Sequence, residues 1–562
     1  MKGQFMTIDN IPVEIKGEKN LLELIRKVGI DLPTFCYYSE LSVYGACRMC
    51  MVENKWGDIE AACSTPPREG MEIFTNTPRL RKYRKMILEL LLSNHCRDCT
   101  TCEKNGHCKL QDLAQRFGIK EIRFENTFEN REIDKSSVCI VKDKSKCILC
   151  GDCVRMCDEV QNVGAIDFAK RGSEMGVSTA FDEPLAESNC VGCGQCAAVC
   201  PTGAIVVKND TNKLWKELSD KDTKVVVQIA PAVRVGISKE LGQNDGDNVM
   251  GKIVSALRKM GFDAVFDTST GADLTVLEET GEFLSRLEKN EKLPLFTSCC
   301  PAWVSYAENN HSDLINNIST CRSPMQMFAS VLKEHYKHSS KKVVVVAIMP
   351  CTAKKSEAQR DEFKEDGIPY VDYVITTQEL IQMIQESGIV FSEVEPESVD
   401  MPFGVSSGAG VIFGVTGGVT EAVIRRVMDD KSTTTLRALA FNGVRGMGGV
   451  KETSITVGDR EIKIAVVSGL KNADDLVQKI KTGEAHYDFV EVMACPGGCV
   501  SGAGQPFTKA EGKAKRGAGL YEADRMSSLK RSEENPVMMS LYSGLLKGKV
   551  HDLLHVHYKR RE

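Results

Sequence analysis

Aromatic residues make up only 6% of this 562-residue chain, which leaves little material for base-stacking surfaces. Charge of either sign is not in excess: 72 basic against 77 acidic residues leave a net charge of −5, so neither nucleic acid nor an anionic membrane is expected as a partner. No stretch approaches the roughly 20 apolar residues of a membrane span. The longest tight apolar run, Val343–Met349, has the length of a strand. The beginning, MKGQFMTIDNIPVEIKG, lacks an apolar signal-peptide core, so a cytoplasmic location is expected. A chain of this length, with an ordinary hydrophobic content of 42%, should divide into several domains.

Cysteine, by contrast, is abundant. Twenty-three cysteines in a chain with no secretory leader do not read as a disulfide scaffold. Seventeen lie before position 201 in clusters with two- and three-residue gaps, and six lie after position 298. Short CxxC gaps suit thiolates converging on a metal centre.

Residues 1–80 open with strand-like Gln4–Ile8 and Val13–Ile15 and a helical pattern over Leu21–Val28, ahead of Cys36, Cys47, Cys50 and Cys63. This resembles a plant-type [2Fe–2S] ferredoxin, with a longer first gap and hence a rebuilt loop. A structural zinc knuckle is the competing reading; the strand–helix start and Gly45 in the loop favour the cluster. Residues 81–125 carry His95, Cys99, Cys102 and Cys108, expected to hold one [4Fe–4S] cluster, with Cys96 as the alternative to His95. An imidazole in place of a thiolate removes negative charge and raises the potential. The segment resembles the His-ligated cluster segment of respiratory complex I and of [FeFe]-hydrogenases. In 126–209 the run Cys147, Cys150, Cys153, Cys157 is repeated by Cys190, Cys193, Cys196, Cys200 before Pro201. In two-cluster ferredoxins the fourth cysteine of each run ligates the other cluster. The expected sets are Cys147/Cys150/Cys153/Cys200 and Cys190/Cys193/Cys196/Cys157; Cys139 is read as a buried structural thiol.

Four clusters in a row make an electron relay without saying what the electrons do. Beyond residue 209, the β-branched runs Lys224–Ile229 and Val343–Ile348 and the shorter Leu293–Phe296 read as strands, and Asn248–Met260 and Leu274–Leu287 as helices. Alternation of this kind predicts an α/β domain with largely parallel sheets and ligands at strand ends. Three motifs stand out: TSCCPAW at 297–303, MPCTAKKSE at 349–357 and EVMACPGGCVSGAGQP at 491–506. Cys300, Cys351, Cys495 and Cys499 supply the four thiolates of a cubane, and Cys299 remains as a spare thiol beside it.

These motifs resemble the three signatures of the [FeFe]-hydrogenases, and the resemblance extends over essentially the whole chain. It implies a multidomain α+β fold. The implied parts are a β-grasp [2Fe–2S] domain (1–80), a small helical His/Cys cluster domain (81–125), a two-[4Fe–4S] ferredoxin-like domain (126–209), a two-lobed α/β catalytic domain (210–514) and a small-subunit-like extension (515–562). The cofactors implied are one [2Fe–2S] cluster, three accessory [4Fe–4S] clusters and an H-cluster. The last is a cubane sharing the Cys499 thiolate with a diiron unit that carries CO, cyanide and an azadithiolate. By motif position Cys299 is the proton-donating thiol and Lys354 the cyanide contact. Met349, Met493, Pro231, Ala232, Ser298, Met325 and Phe413 surround the diiron unit. The resemblance further implies a proton path from Cys299 through Glu279, Ser319 and Glu282 to Arg286 at the surface; Glu279, Glu282 and Arg286 share a helix face by spacing. A solvated face with an i,i+4 pair is the alternative reading. The family's partners are H2 and protons as substrates, ferredoxin as electron carrier, and the hydrogenase maturation enzymes.

Several positions depart from the commonest pattern: Ala302 and Ala503 for Gly, Ala232 for Ser and Met325 for Gln, which resembles the divergent group B. Cys321 is an extra thiol near the path, and the ending His555-Val556-His557-Tyr558 is read as a packed or solvated tail. A low-turnover H2 sensor, a non-enzymatic iron–sulfur assembly relative and a complex I-like electron-transfer subunit are the alternative functions. The complete set of Cys299, Lys354, Met349 and Met493 argues against the assembly relative, and a complex I-like subunit explains the relay but not the last three motifs.

Overall fold

Gln4–Ile8 and Ile11–Ile15 pair antiparallel, with Ile8 opposite Ile11. Asp9 and Asn10 between them both take positive φ, the geometry whose twist suits a two-residue hairpin. The computed structural model describes residues 4–125, 132–428, 443–457 and 460–559; the first residues of the expected 126–209 domain lie outside them. The chain forms two units: Met1–Glu159 with Gly164–Ser188 and Val199–Val206, and Val160–Val163 with Asn189–Ala198 and Val207–Glu562.

In the first unit the hairpin joins a five-stranded sheet, completed by Glu72–Phe74, Met51–Asn54 and Ile59–Ala61 in that order. The helix Leu21–Lys27 is capped by the Asn20 side chain and buries Leu21, Leu22, Leu24 and Ile25. These residues share one core with Met6, Ile8, Val52 and Ile73, so a short amphipathic helix closes one face of the sheet. Thr77 caps the helix Pro78–Ser93, with proline in its first turn. The expected boundary between 80 and 81 therefore falls inside a continuous helix. The boundary expected between 514 and 515 likewise falls inside the helix Ala510–Met526, whose sequence is rich in helix-forming Ala, Lys, Glu and Arg.

Two four-stranded sheets organise the second unit. One has the order Ala264–Asp267, Thr223–Ile229, Lys342–Met349, Tyr373–Thr376, all parallel. The other has the order Leu295–Phe296, Phe489–Met493, Arg460–Ser468, Val450–Val457, parallel except for its last pair. The central strands are buried along nearly their whole length, as parallel strands covered on both faces must be, which is why they read as apolar runs. Between Ala264–Asp267 and Leu295–Phe296 runs the long helix Ser269–Lys289. Among the described residues no helix is long and apolar enough to cross a membrane.

Candidate active site

Four strands of the second unit deliver the motifs to one place from their carboxyl ends. Thr223–Ile229 leads to Pro231 and Ala232, Leu295–Phe296 to Cys299 and Cys300, Lys342–Met349 to Cys351, and Phe489–Met493 to Cys495. Parallel strands expose their loops on one edge, so motifs up to 270 residues apart meet there. They enclose a cavity of about 90 Å3 lined almost wholly by apolar groups. Pro231, Ala232, Met325, Met349, Phe413 and Met493 form its apolar wall, and Cys299, Cys300, Cys351, Lys354, Cys495 and Cys499 bring its chemistry.

The four motif thiols are close enough to feel one another's charge. Burial first, then the neighbouring thiols, push Cys351 up to about 11 and hold Cys495 and Cys499 well above the ordinary thiol value. Thiols raised in this way hold their protons without a metal and give them up to one. The Ala494 N–H donates to Cys300 Sγ (3.4 Å) and Gln195 Nε2 to Cys495 Sγ (3.1 Å). Hydrogen bonds of this kind stabilise thiolates on a cluster. Cys299 is also pushed well above the ordinary thiol value, by burial and then by Glu279.

Lys354 enters from the helix Ala353–Glu357, donating to Glu357 (2.7 Å) and to the Cys299 carbonyl (3.2 Å). Burial opposes its charge, but Glu357 outweighs burial and raises its pKa. An ammonium has three donors, and these bonds use two. The residues therefore fit a cubane with a second, anionic-ligated metal group beside it: four thiols, one further thiol, a lysine donor in reserve and an apolar wall.

Small residues keep the backbone close. A Cβ at Gly502 would lie 2.1 Å from the Pro350 carbonyl and one at Gly504 2.8 Å from Thr376, whereas Ala503 between them is accommodated, fully buried. The substitution at 503 falls on the one position of the three with room. Gln505 donates to the Ala232 carbonyl (2.8 Å), bracing the loop in which Ala232 replaces the more usual serine. Glu491 accepts from Gly417 and Thr420, and Thr297 accepts from Val492 N (3.2 Å), so the first and third motifs are tied together. These bracing roles were not read from the sequence, although Glu491, Thr297 and Gln505 all lie within the motifs. Glu357 also closes a motif, at the i+3 position from Lys354.

Ser298, expected round the diiron unit, is not among the cavity-lining residues; its hydroxyl donates to the Cys321 carbonyl (2.5 Å). Successive side chains of an extended segment point to opposite sides, so Cys299 facing the cavity turns Ser298 away.

The helix face of Glu279, Glu282 and Arg286 lies beside Cys299. Glu279 is fully buried, with the Ser319 hydroxyl and the Ser298 backbone N–H as the polar groups nearest its carboxyl. Burial, reinforced by the charge of Glu282, pushes it up to about 8. Ser319, also fully buried, donates to Glu282 (3.1 Å), and Arg286 pairs with the other Glu282 oxygen (2.5 Å). Arg286 does not reach the surface as expected. It is 8% exposed and its guanidinium donates to the carbonyls of Lys292, Asn317 and Ile318. A buried guanidinium is stable only when its donors are satisfied, and these carbonyls at the helix end satisfy them. Because Glu279 has its pKa raised above the ordinary 4.5, the folded state holds a proton there that the unfolded state loses. Stability should therefore fall as pH rises from about 4.5 to about 8, and Glu279→Gln should flatten that slope. Unfolding midpoints of both proteins across this range measure it.

In the first unit Cys36, Cys47, Cys50 and Cys63 perturb one another's ionisation, and Cys47 N and Phe35 N donate to the thiols of Cys36 and Cys47 (both 3.4 Å). Burial lowers His95 to about 4, so it is a neutral imidazole whose buried Nδ1 has no hydrogen-bond partner among the described residues. Cys96 Sγ instead donates to Asp98 (3.5 Å). Cys108 is near Cys99 and Cys102. Cys147, Cys150, Cys153 and Cys200 line one small cavity. Cys157 belongs to this unit, and Cys190, Cys193 and Cys196 to the second. Cys139 is buried and 1% exposed.

Taken together, clustered thiol sets and an enclosed, thiol-lined cavity at the strand ends define an iron–sulfur oxidoreductase. Comparison with known proteins makes this specific. Residues 223–503 match the family described as iron only hydrogenase large subunit, C-terminal domain, and residues 510–561 the iron hydrogenase small subunit. Ahead of them, residues 5–78 match a 2Fe-2S iron-sulfur cluster binding domain, 84–123 the NADH-ubiquinone oxidoreductase-G iron-sulfur binding region, and 146–204 a 4Fe-4S dicluster domain. The chain is 42% identical to an NADP-reducing hydrogenase subunit of Solidesulfovibrio fructosivorans over 99% of both chains. It is 34% identical to iron hydrogenase 1 of Clostridium pasteurianum over 98% of this chain and 99% of that one. A solved structure of the [FeFe]-hydrogenase from Chlamydomonas reinhardtii is 38% identical, covers 63% of this chain and 99% of its own, and superposes with a TM-score of 0.54. The chain belongs to the iron-only hydrogenases. It is an oxidoreductase of H2 chemistry, with [2Fe–2S] and [4Fe–4S] domains preceding an H-cluster domain.

Proposed function

We propose that the chain interconverts protons, electrons and H2 reversibly, with electrons relayed through its iron–sulfur clusters to or from a small ferredoxin-like carrier. The observation that carries this reading is the meeting of Cys299, Lys354 and four buried thiols round one apolar cavity. Cys300, Cys351, Cys495 and Cys499 would hold the cubane, with Cys499 shared, and the bound H-cluster would supply an open iron site for H2 chemistry. The remaining work belongs to side chains. Cys299 holds a proton at the cavity wall, Lys354 offers a cation to anionic ligands, and the apolar wall excludes water. Neutral Glu279 stands next to Cys299 as the following proton carrier, then Ser319 and Glu282.

The accessory clusters would be held by Cys36/Cys47/Cys50/Cys63, by His95/Cys99/Cys102/Cys108, by Cys147/Cys150/Cys153/Cys200 and by Cys190/Cys193/Cys196/Cys157. A thiol hydrogen-bonded to Asp98 suits Cys96 poorly as a ligand, and the partnerless Nδ1 of His95 suits it well. Gln195, next to Cys196, donates to Cys495, which supports electron entry to the cubane from the last accessory cluster. The 42% identity to a subunit of an NADP-reducing hydrogenase favours a second reading of the partner, a subunit that passes electrons to NADP.

Anaerobic protein produced with the hydrogenase maturation enzymes should show infrared bands of metal-bound CO and cyanide that shift under H2. Absence of those bands, with iron–sulfur clusters present and a control hydrogenase matured in parallel, would overturn the reading. Reduction of added ferredoxin or of NADP by H2, alone and with candidate partner subunits, separates the two electron acceptors.

A further inference from the structure

Beyond Glu282 a hydrogen-bonded chain continues to the carboxyl-terminal segment. Glu282 Oε2 accepts from the Thr320 hydroxyl (3.0 Å), and that hydroxyl lies 2.9 Å from His555 Nδ1. His555 Nε2 lies 3.0 Å from Glu278, whose other oxygen accepts from the Tyr542 hydroxyl. Glu282, Cys321 and His555 bring their polar atoms within 4.8 Å of one another. The imidazole is held in place by backbone. Arg322 N donates to the Leu554 carbonyl (2.8 Å) and Val556 N to the Thr320 carbonyl (2.7 Å), pairing the two segments across Cys321 and His555. Arg322 also donates to the carbonyls of His555 and Asp552.

Arg286, the expected end of the path, is a poor terminus, because a guanidinium keeps its proton. An imidazole exchanges protons with water near neutral pH and has two nitrogens through which one proton enters as another leaves. The groups facing His555 are Thr320, Glu282, Cys321 and Glu278, with His551 stacked on it at 5.3 Å. Tyr542 and Arg426 act on it through Glu278. Burial raises Glu278, but its bonds from His555 and Tyr542 outweigh burial and hold it below the usual carboxylate value. It is thus an anion able to orient Nε2–H.

We propose that His555 is the relay group through which this chain's proton path exchanges protons with solvent, by way of Thr320. A proton on Glu282 passes to the Thr320 oxygen while the Thr320 hydroxyl proton passes to Nδ1, and the imidazolium passes its Nε2 proton to the Glu278 carboxylate, which releases it to water. One proton enters and one leaves, with no change of oxidation state; H2 production runs the same steps inward. This rests on the hydrogenase reading above. Glu282 and His555 each have 13% side-chain exposure, so direct release from Glu282 is the competing route.

The matured holoenzyme tests it at low buffer concentration. His555→Ala should lose turnover by about tenfold, less than the roughly 10²–10⁴-fold of a group at the reacting atoms. Added imidazole should restore the rate, and the infrared bands should stay unchanged. Thr320→Val, which keeps the shape and removes the hydroxyl, should lose as much without rescue. A wild-type rate in His555→Ala, or a loss that imidazole leaves unrestored while the bands are intact, overturns the inference alone. A wild-type protein with neither bands nor turnover overturns the hydrogenase reading and the inference with it.

Discussion

Cys299→Ser should lower H2 turnover by roughly 10²–10⁴-fold, the range for removing a proton-transfer group at a reacting centre. The H-cluster infrared bands should remain. Cys299 lines the cavity beside Cys300 yet would not be needed to hold the cubane, so its loss leaves a full ligand set. Serine preserves shape and hydrogen bonding, but its hydroxyl does not ionise within reach of a thiol's range. Its other neighbour in the path, Glu279, is a neutral acid below about pH 8, so the thiol has a carboxyl and not a carboxylate beside it at neutral pH. Wild-type turnover in matured Cys299→Ser, measured by gas chromatography, would remove this thiol from the proton path.

Lys354→Met should destabilise the protein by about 3–5 kcal/mol, the cost of leaving one partner of a buried ion pair without the other. The pair is well enclosed: the side chains of Lys354 and Glu357 are 10% and 1% exposed at 2.7 Å separation. Glu357 would keep the hydrogen bond from the Ser323 hydroxyl (3.1 Å) but lose its cation. The double variant Lys354→Met/Glu357→Gln should recover most of that stability, because it removes the stranded charge, but should not recover turnover. Thermal unfolding of anaerobic protein, with the single and double variants side by side, decides it. Equal midpoints for wild type and Lys354→Met would mean the pair contributes nothing to the fold.

The cluster motifs could be read from sequence because cluster ligands within one loop are fixed by spacing. Two or three residues between thiols set their convergence whatever surrounds them, as in Cys147, Cys150 and Cys153. The strands were legible for a related reason: parallel strands buried on both faces are uninterrupted β-branched runs, and Lys342–Met349 is one. The hairpin at Asp9-Asn10 and the helix capped by Asn20 are equally local. The boundaries expected at 80 and 514 fall within the helices Pro78–Ser93 and Ala510–Met526, whose continuity the motif spacing does not reveal.

The sequence by itself determined the iron–sulfur character, the three active-site motifs and the face shared by Glu279, Glu282 and Arg286. Tertiary structure alone decided that Arg286 is sealed under three carbonyls, that Ser298 turns from the cavity, that Gln195 reaches Cys495 and that His555 lies beyond Glu282. The physical reason is the same in each case. Helical and loop periodicities act within one element, whereas these contacts join different segments, 23 residues apart for Ser298 and Cys321 and 300 for Gln195 and Cys495. Their partners are set by sheet order and by the backbone pairing of the carboxyl-terminal segment.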